Sequence, residues 1–218
     1  MIMVHGAFRR EFGPLAELAR GVADGDRERV ELVAGHIELI SYMLHHHHQA
    51  EDTAIWPRLL ERCPEEIAPS VHLMEEQHER LAETITELEA AVAAWRGTGE
   101  AAGGTAVAET LDRMVPAVLE HLDAEEQQVL PLIEKHITAA EWYEMTAKIV
   151  ESTPQDKTLV ILGMMIYGGS PQTVQEAVGT LPPDQRDFIK EAAPKAYAAY
   201  VEQVYGMPNA PHGDILNG

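Results

Sequence analysis

At 218 residues the chain is long enough to bury a core without covalent staples, and it suits one large domain or a domain with an appendage. Sixteen Lys and Arg residues against 36 Asp and Glu give a formal charge of −20, which repels phosphate backbones and anionic membranes and so argues against nucleic acid or membrane as partners. The single cysteine, Cys63, excludes an internal disulfide and any thiolate cluster.

The N-terminal MIMVHGAFRREF lacks the cationic-then-apolar build of a secretory signal, and a reducing, cytoplasmic setting is expected. The first helix is predicted over 2–22, with His5, Phe8, Phe12 and Leu15 on one face and Gly13-Pro14 interrupting it. Asp24-Gly25-Asp26 reads as a turn. A second helix follows over 27–60, where Val33, Ile37, Ile40 and Leu44 trace an apolar stripe that runs into MLHHHHQAED. The region Cys63 to Pro69 reads as a link. The third helix, 70–95, carries Leu81, Ile85 and Leu88 after His78. A glycine-rich stretch, RGTGEAAGG at 96–104, separates it from a fourth helix over 105–136 with Val107, Leu111, Met114 and Val118 in register.

No segment alternates with period 2, as a half-buried strand would. Short links favour antiparallel neighbours, so the fold class is all-α, an up-down four-helix bundle over 1–136. Beyond it, Thr138-Ala-Ala-Glu141 reads as a capping box, Ser170-Pro171 as an N-cap with proline at N1, and Pro182-Pro183-Asp184 as another helix start. These predict three or four shorter helices over 137–205, followed by a disordered tail over 206–218. The most apolar run, LVILGMMIYGG, is too short to span a bilayer.

An internal repeat singles out the functional residues. HHQAEDTAIWP at 47–57 lies over HLDAEEQQVLP at 121–131, matching His47 with His121, Glu51 with Glu125, Asp52 with Glu126 and Pro57 with Pro131. In both helices the apolar stripe continues in the same steps into His-x3-Glu. Residues four apart share a helix face, so His47 with Glu51 and His121 with Glu125 point inward. His5 and His78 precede the two motifs by similar intervals, each on its own helix's apolar stripe, which brings four imidazoles and two carboxylates to one core. His48 and Asp52 share the spacing but sit about 100° round the helix, so His45, His46 and His48 are read as solvated or as lying behind the ligands. Buried carboxylates cost roughly several kcal/mol each without a partner. No Lys or Arg lies on these stripes, which leaves a bound cation as the simplest neutraliser.

The segments HHHQAEDTAIWP, EEQHERL and HLDAEEQQVLP, with the opening HGAFRREF, resemble the motifs of the hemerythrin-like (HHE cation-binding) family over about residues 1–136. The resemblance implies a four-helix bundle holding a non-haem di-iron centre, oxo- or hydroxo-bridged, with His5, His47, Glu51, His78, His121 and Glu125 as ligands. Manganese or zinc are substitutes that the same donors accept. Met74 stands where the oxygen carriers have a further histidine, and His-x3-Glu at His121 and Glu125 replaces their His-x4-Asp. The pattern is closer to the four-His, two-Glu members, which the resemblance links to oxidative or nitrosative stress and to iron handling. With two imidazoles per iron, each metal is expected to keep an open position unless a tyrosine, water or His36 fills it.

Three functions share these ligands. The leading expectation is a protein that binds or reacts with dioxygen, peroxide or nitric oxide. The others are an iron or redox sensor, or reversible oxygen binder, without turnover, and a store or donor of iron. Asp52 and Glu126 are candidate partners for histidine N–H groups. A homodimer through the C-terminal helices is a further expectation. No nucleophile–base pair or phosphate-binding loop is evident.

Overall fold

The computed structural model describes residues 1–206 apart from 180 and 182, and among them every regular element is helical. The tail expected to be disordered lies, from residue 207 on, outside the described residues. The chain forms two compact units, one comprising Glu11–Ile137 and the other joining Met1–Arg10 to the residues from Thr138 onward. Helix α1 (Ile2–Phe12) contributes to both. No helix among the described residues is long and apolar enough to cross a membrane.

In the Glu11–Ile137 unit, Gly13-Pro14 separates α1 from α2 (Leu15–Arg20), as the sequence predicts. Asp26 then caps α3 (Arg27–Ala50), its Oδ1 accepting from the Arg29 amide at 3.1 Å, which satisfies one orphan donor of the first turn. A π-helical turn over Glu51–Ile55 leads without a break into α4 (Trp56–Arg62). Only Cys63 separates α4 from α5 (Pro64–Thr98). The predicted link from Cys63 to Pro69 is therefore corrected: Pro64 sits at the helix start, where its missing N–H is harmless, and the helix runs on through Pro69.

The glycine-rich stretch also needs correcting, because only Gly99 and Glu100 form the turn. Gly99 takes φ +71° and its N–H closes α5 on the Trp95 carbonyl, the left-handed cap that glycine alone adopts without strain. Gly97 lies within α5, whereas Gly103 and Gly104 belong to α6 (Ala101–Gln128) and serve close packing. A Cβ on Gly104 would come within 2.5 Å of the Ala19 carbonyl oxygen, and one on Gly103 within 2.6 Å of Trp95. α6 gives way at Val129 to α7 (Leu130–His136). Helix α5 packs on α3 and on α6, and α2 on α6. Every apolar stripe residue named above is buried, Val33, Ile37, Ile40 and Leu44 facing the same core as Val107, Leu111, Met114 and Val118. This is the hemerythrin-like helical bundle.

In the other unit, α8 (Ala139–Ser152) opens on the expected capping box. The Glu141 carboxylate accepts from the Thr138 amide at 2.9 Å, and Thr138 Oγ1 accepts from the Glu141 amide at 3.3 Å. Helix α9 (Gln155–Ile166) is followed by α10 (Pro171–Gly179), capped by Ser170, whose Oγ accepts from the Thr173 amide at 3.1 Å. α11 (Pro183–Tyr205) ends where predicted. Arg10 of α1 donates to the carbonyls of Met164 and Tyr167 at the end of α9 and lies over the Tyr167 ring.

Candidate metal centre

The geometry of α3 decides which histidines turn inward. Its buried face is wider than one residue per turn, with Val33 beside Ala34, His36 beside Ile37, Leu39 beside Ile40 and Ser41, and Met43 beside Leu44. At the next such level stand His47 and His48, with the side chain of His47 only 11% exposed and His48 5% exposed. Pro57 cannot donate to the carbonyl four residues back and its ring crowds that carbonyl. The helix widens just before it, and the Trp56 N–H reaches back to Glu51 O, a distortion that recurs at functional sites.

Within this unit the structure brings five of the six predicted ligands together. His47 Nε2 lies 3.0 Å from Glu51 Oε1, and His78 Nε2 lies 3.4 Å from Glu51 Oε2. Glu51 thus faces two imidazoles with its two oxygens. Glu125 Oε2 lies 3.9 Å from His47 Nε2 and 4.0 Å from His121 Nε2. His78, His121, Glu51 and Glu125 are all buried. The sixth, His5, lies fully buried on α1, in the other compact unit.

Two further contacts orient the rings. His78 Nδ1 hydrogen-bonds Asp52 Oδ1 at 2.8 Å, and the same oxygen accepts from Trp56 Nε1 at 3.0 Å. His121 Nδ1 meets Gln77 Oε1 at 3.0 Å. In the neutral ring, Nδ1 donating leaves Nε2 as a lone-pair donor toward the cluster. Asp52 therefore fills the role the sequence suggested for it, whereas Gln77 was missed. Nothing in its spacing marks it except its place beside His78.

Of the two readings of His48, solvated or lying behind the ligands, burial removes the first. Its ring stacks on His78 with centroids 4.1 Å apart and meets His121 edge-on at 4.8 Å. The ligand nitrogens of His48, His78 and His121 lie within 4.8 Å of one another, as do the ligand atoms of His47, Glu51 and Glu125. The missed signal was a second stripe, Val30, Ala34, Ile37, Ser41, Leu44 and His48, whose small and polar members an apolar count passes over. His45 is exposed and His46 bonds the Tyr42 carbonyl, as expected of residues off the stripe. His36 does not join the cluster. It lies three turns earlier, buried, 3.6 Å from Glu11.

The electrostatics suit a cation. Burial, then the neighbouring imidazoles of His78 and His121, holds the His48 pKa well below the usual histidine range, so its ring is neutral. Burial also opposes a charge on His78, but the carboxylates of Glu51 and Asp52 outweigh it and raise its pKa. Both Glu51 oxygens and the Nε2 atoms of His48 and His78 are buried with no hydrogen bond among the described residues. Such atoms each cost about 1–3 kcal/mol when left in that state. Imidazole and carboxylate donors without sulfur fit iron, manganese or zinc.

A helical bundle whose apolar core gives way, over two turns, to inward-facing imidazoles and carboxylates is a metal-binding bundle of the carboxylate–histidine kind. Residues 1–133 match the hemerythrin HHE cation-binding domain. The chain belongs to that family. No curated protein and no solved structure matches it.

Proposed function

We propose that the bundle holds two iron ions and that the loaded protein binds or reacts with a small oxidant, namely peroxide, nitric oxide or dioxygen, in oxidative or nitrosative stress or in iron handling. The observation that carries this reading is Glu51, a buried carboxylate with one oxygen toward His47 and the other toward His78. A carboxylate so placed spans two positions and neutralises cations at both.

His47, Glu51, His78, His121 and Glu125 are the ligands, and we assign His5 as the sixth on the repeat of His5/His47 with His78/His121 and on its complete burial. When bound, iron supplies the redox chemistry. The chain's own part is to bind, orient and shield. Asp52 and Gln77 fix the ring planes and tautomers of His78 and His121. Glu51 and Glu125 supply the negative charge. The apolar levels formed by Leu44 and Val118 seal one side of the cluster from water.

The test is elemental analysis of protein grown with iron, followed by optical and gas-evolution measurements with peroxide, dioxygen and nitric oxide in turn. Two irons per chain with peroxide turnover or a nitric oxide adduct are expected. A chain that takes up no metal overturns the reading. A fully reversible oxygen adduct without peroxide turnover leaves the metal centre and replaces its reactivity by oxygen carriage.

A further inference from the structure

Resting on the two-metal reading, we propose that His48 is itself a metal ligand, so that the two metal positions are unequal. The repeat alone distributes the ligands evenly. His47 answers to His121 and Glu51 to Glu125, but the residue that answers to His48 is Leu122, which is buried and apolar. At this level α6 fills its share of the core with hydrocarbon, while α3 fills it with an imidazole.

A polar ring at a position whose counterpart is met by leucine needs a reason. His48 Nε2 has no hydrogen bond among the described residues and is shut off from solvent, and the same holds for His78 Nε2. Nearby, the ligand nitrogens of His48, His78 and His121 come within 4.8 Å of one another. Buried ring nitrogens without a hydrogen bond, as at His48 and His78, are unfavourable unless something between them accepts electron density. A cation does so, and the adjoining Glu51 oxygen, 3.4 Å from His78 Nε2, supplies charge to it. The other group, His47 with Glu51 and Glu125, is rich in carboxylate. One position is thus richer in imidazole nitrogen and the other in carboxylate oxygen. They should differ in affinity, and in which oxidation state of iron each prefers, because carboxylate oxygen favours the harder, more highly charged ion.

The competing account is that His48 serves only as a flat platform under His78. His48→Phe separates the two, since it keeps a stacked ring and removes the nitrogen. His48→Leu copies the Leu122 side of the repeat and is the second variant should the larger ring not fit. Wild type, both variants and His45→Leu, an exposed control, are titrated anaerobically with ferrous iron, counted by elemental analysis and examined by Mössbauer spectroscopy. Melting of the metal-free proteins reports folding.

The proposal expects wild type and His45→Leu to show two iron environments. The folded His48 variants should retain one, with the other bound about tenfold more weakly or worse, since loss even of a group behind a ligand costs that much. Two irons bound to a folded His48 variant with wild-type affinity and spectra would overturn the proposal and leave the two-metal reading intact. Wild type that binds no iron would overturn both.

Discussion

Helix α3 with its π-helical turn and α4, and helix α6 with α7, descend from the same sequence pattern, yet the two halves solve the same problem differently. Both run an apolar stripe into His-x3-Glu, and both meet a proline six residues after the glutamate. After α3 the helix widens over Glu51–Ile55 and continues, whereas after α6 it is interrupted at Val129. The α3 half places His48 where α6 has Leu122, and His36 where α6 has Thr110. Thr110 satisfies its hydroxyl on the Ala106 carbonyl of its own helix, while His36 is a buried titratable ring beside Glu11. The repeat sets the periodicity, and single side chains on one half then make the centre asymmetric. The α3 half carries more ionisable groups in the core, so the bundle's sensitivity to metal and to pH should concentrate there.

The largest effect should be one the halves share. His47→Ala on α3 and Glu125→Ala on α6 should each abolish retention of metal through purification, because each removes a ligand that the other half does not duplicate. His45→Ala and His46→Ala, off the buried stripe, should keep most of it. Elemental analysis decides, and equal loss from all four would mean that the inward-facing register is wrong.

Acid should then separate the halves. Burial, with the Arg29 charge adding to it, lowers the His36 pKa from 6.5 to about 3. Above the unfolded value the ring is neutral in both states and the linkage is silent. As pH falls below about 6.5 the unfolded chain takes up a proton that the folded one refuses. The folded state therefore loses stability by about 1.4 kcal/mol per pH unit from this group, until the folded pKa is reached. His36→Gln should flatten that limb in urea unfolding of the metal-free protein, and Thr110→Val should leave its slope unchanged. Parallel limbs for wild type and His36→Gln would show that the ring charges without cost.

A smaller contrast concerns the groups behind the ligands. Asp52 offers a carboxylate to His78 at 2.8 Å, while Gln77 offers an amide oxygen to His121 at 3.0 Å. Charge-assisted bonds are the stronger. Asp52→Asn should weaken metal binding by about 10-fold to 100-fold, and Gln77→Ala by less. A competitive chelator titration ranks them, and the reverse order would put the dominant orientation on α6.

Much of this was legible before the structure. The helices, the break at Gly13-Pro14, the caps at Thr138 and Ser170 and the inward pairs at 47/51 and 121/125 all follow from local chemistry and period. What escaped the sequence reading depends on three-dimensional neighbours. Counting one apolar residue per turn traces a line, but α3 presents a band, and Ala34 and Ser41 widen it without registering as hydrophobic. Gly103 and Gly104 look like a flexible link until Trp95 and Ala19 are seen pressing on them. Pro64 and Pro69 look like a break, yet a helix start tolerates the first, and packing of Ile67 and Val71 carries the helix past the second. Gln77 and the π-helical turn have no periodic signature at all.

The smallest expected effect asks what holds that turn open. Pro57 is the obvious cause, since it denies the Thr53 carbonyl a donor. Replacing it with alanine restores an N–H and offers about 1 kcal/mol for a regular helical bond. Closing the turn, however, would rotate everything beyond it by roughly 100°. Trp56 and Leu59, both buried, would leave the core, at about 1.5–3 kcal/mol for each side chain exposed. Packing outweighs the hydrogen bond, so Pro57→Ala should leave the turn, the Asp52–His78 contact and the metal affinity essentially as they are. On the α6 side Leu130 is only half-buried, so less resists closure there, and Pro131→Ala should slow amide exchange around Val129 by joining α6 to α7. Loss of metal affinity in Pro57→Ala as large as in Asp52→Asn would show instead that the proline, and not the tryptophan packed behind it, sets the geometry of the centre.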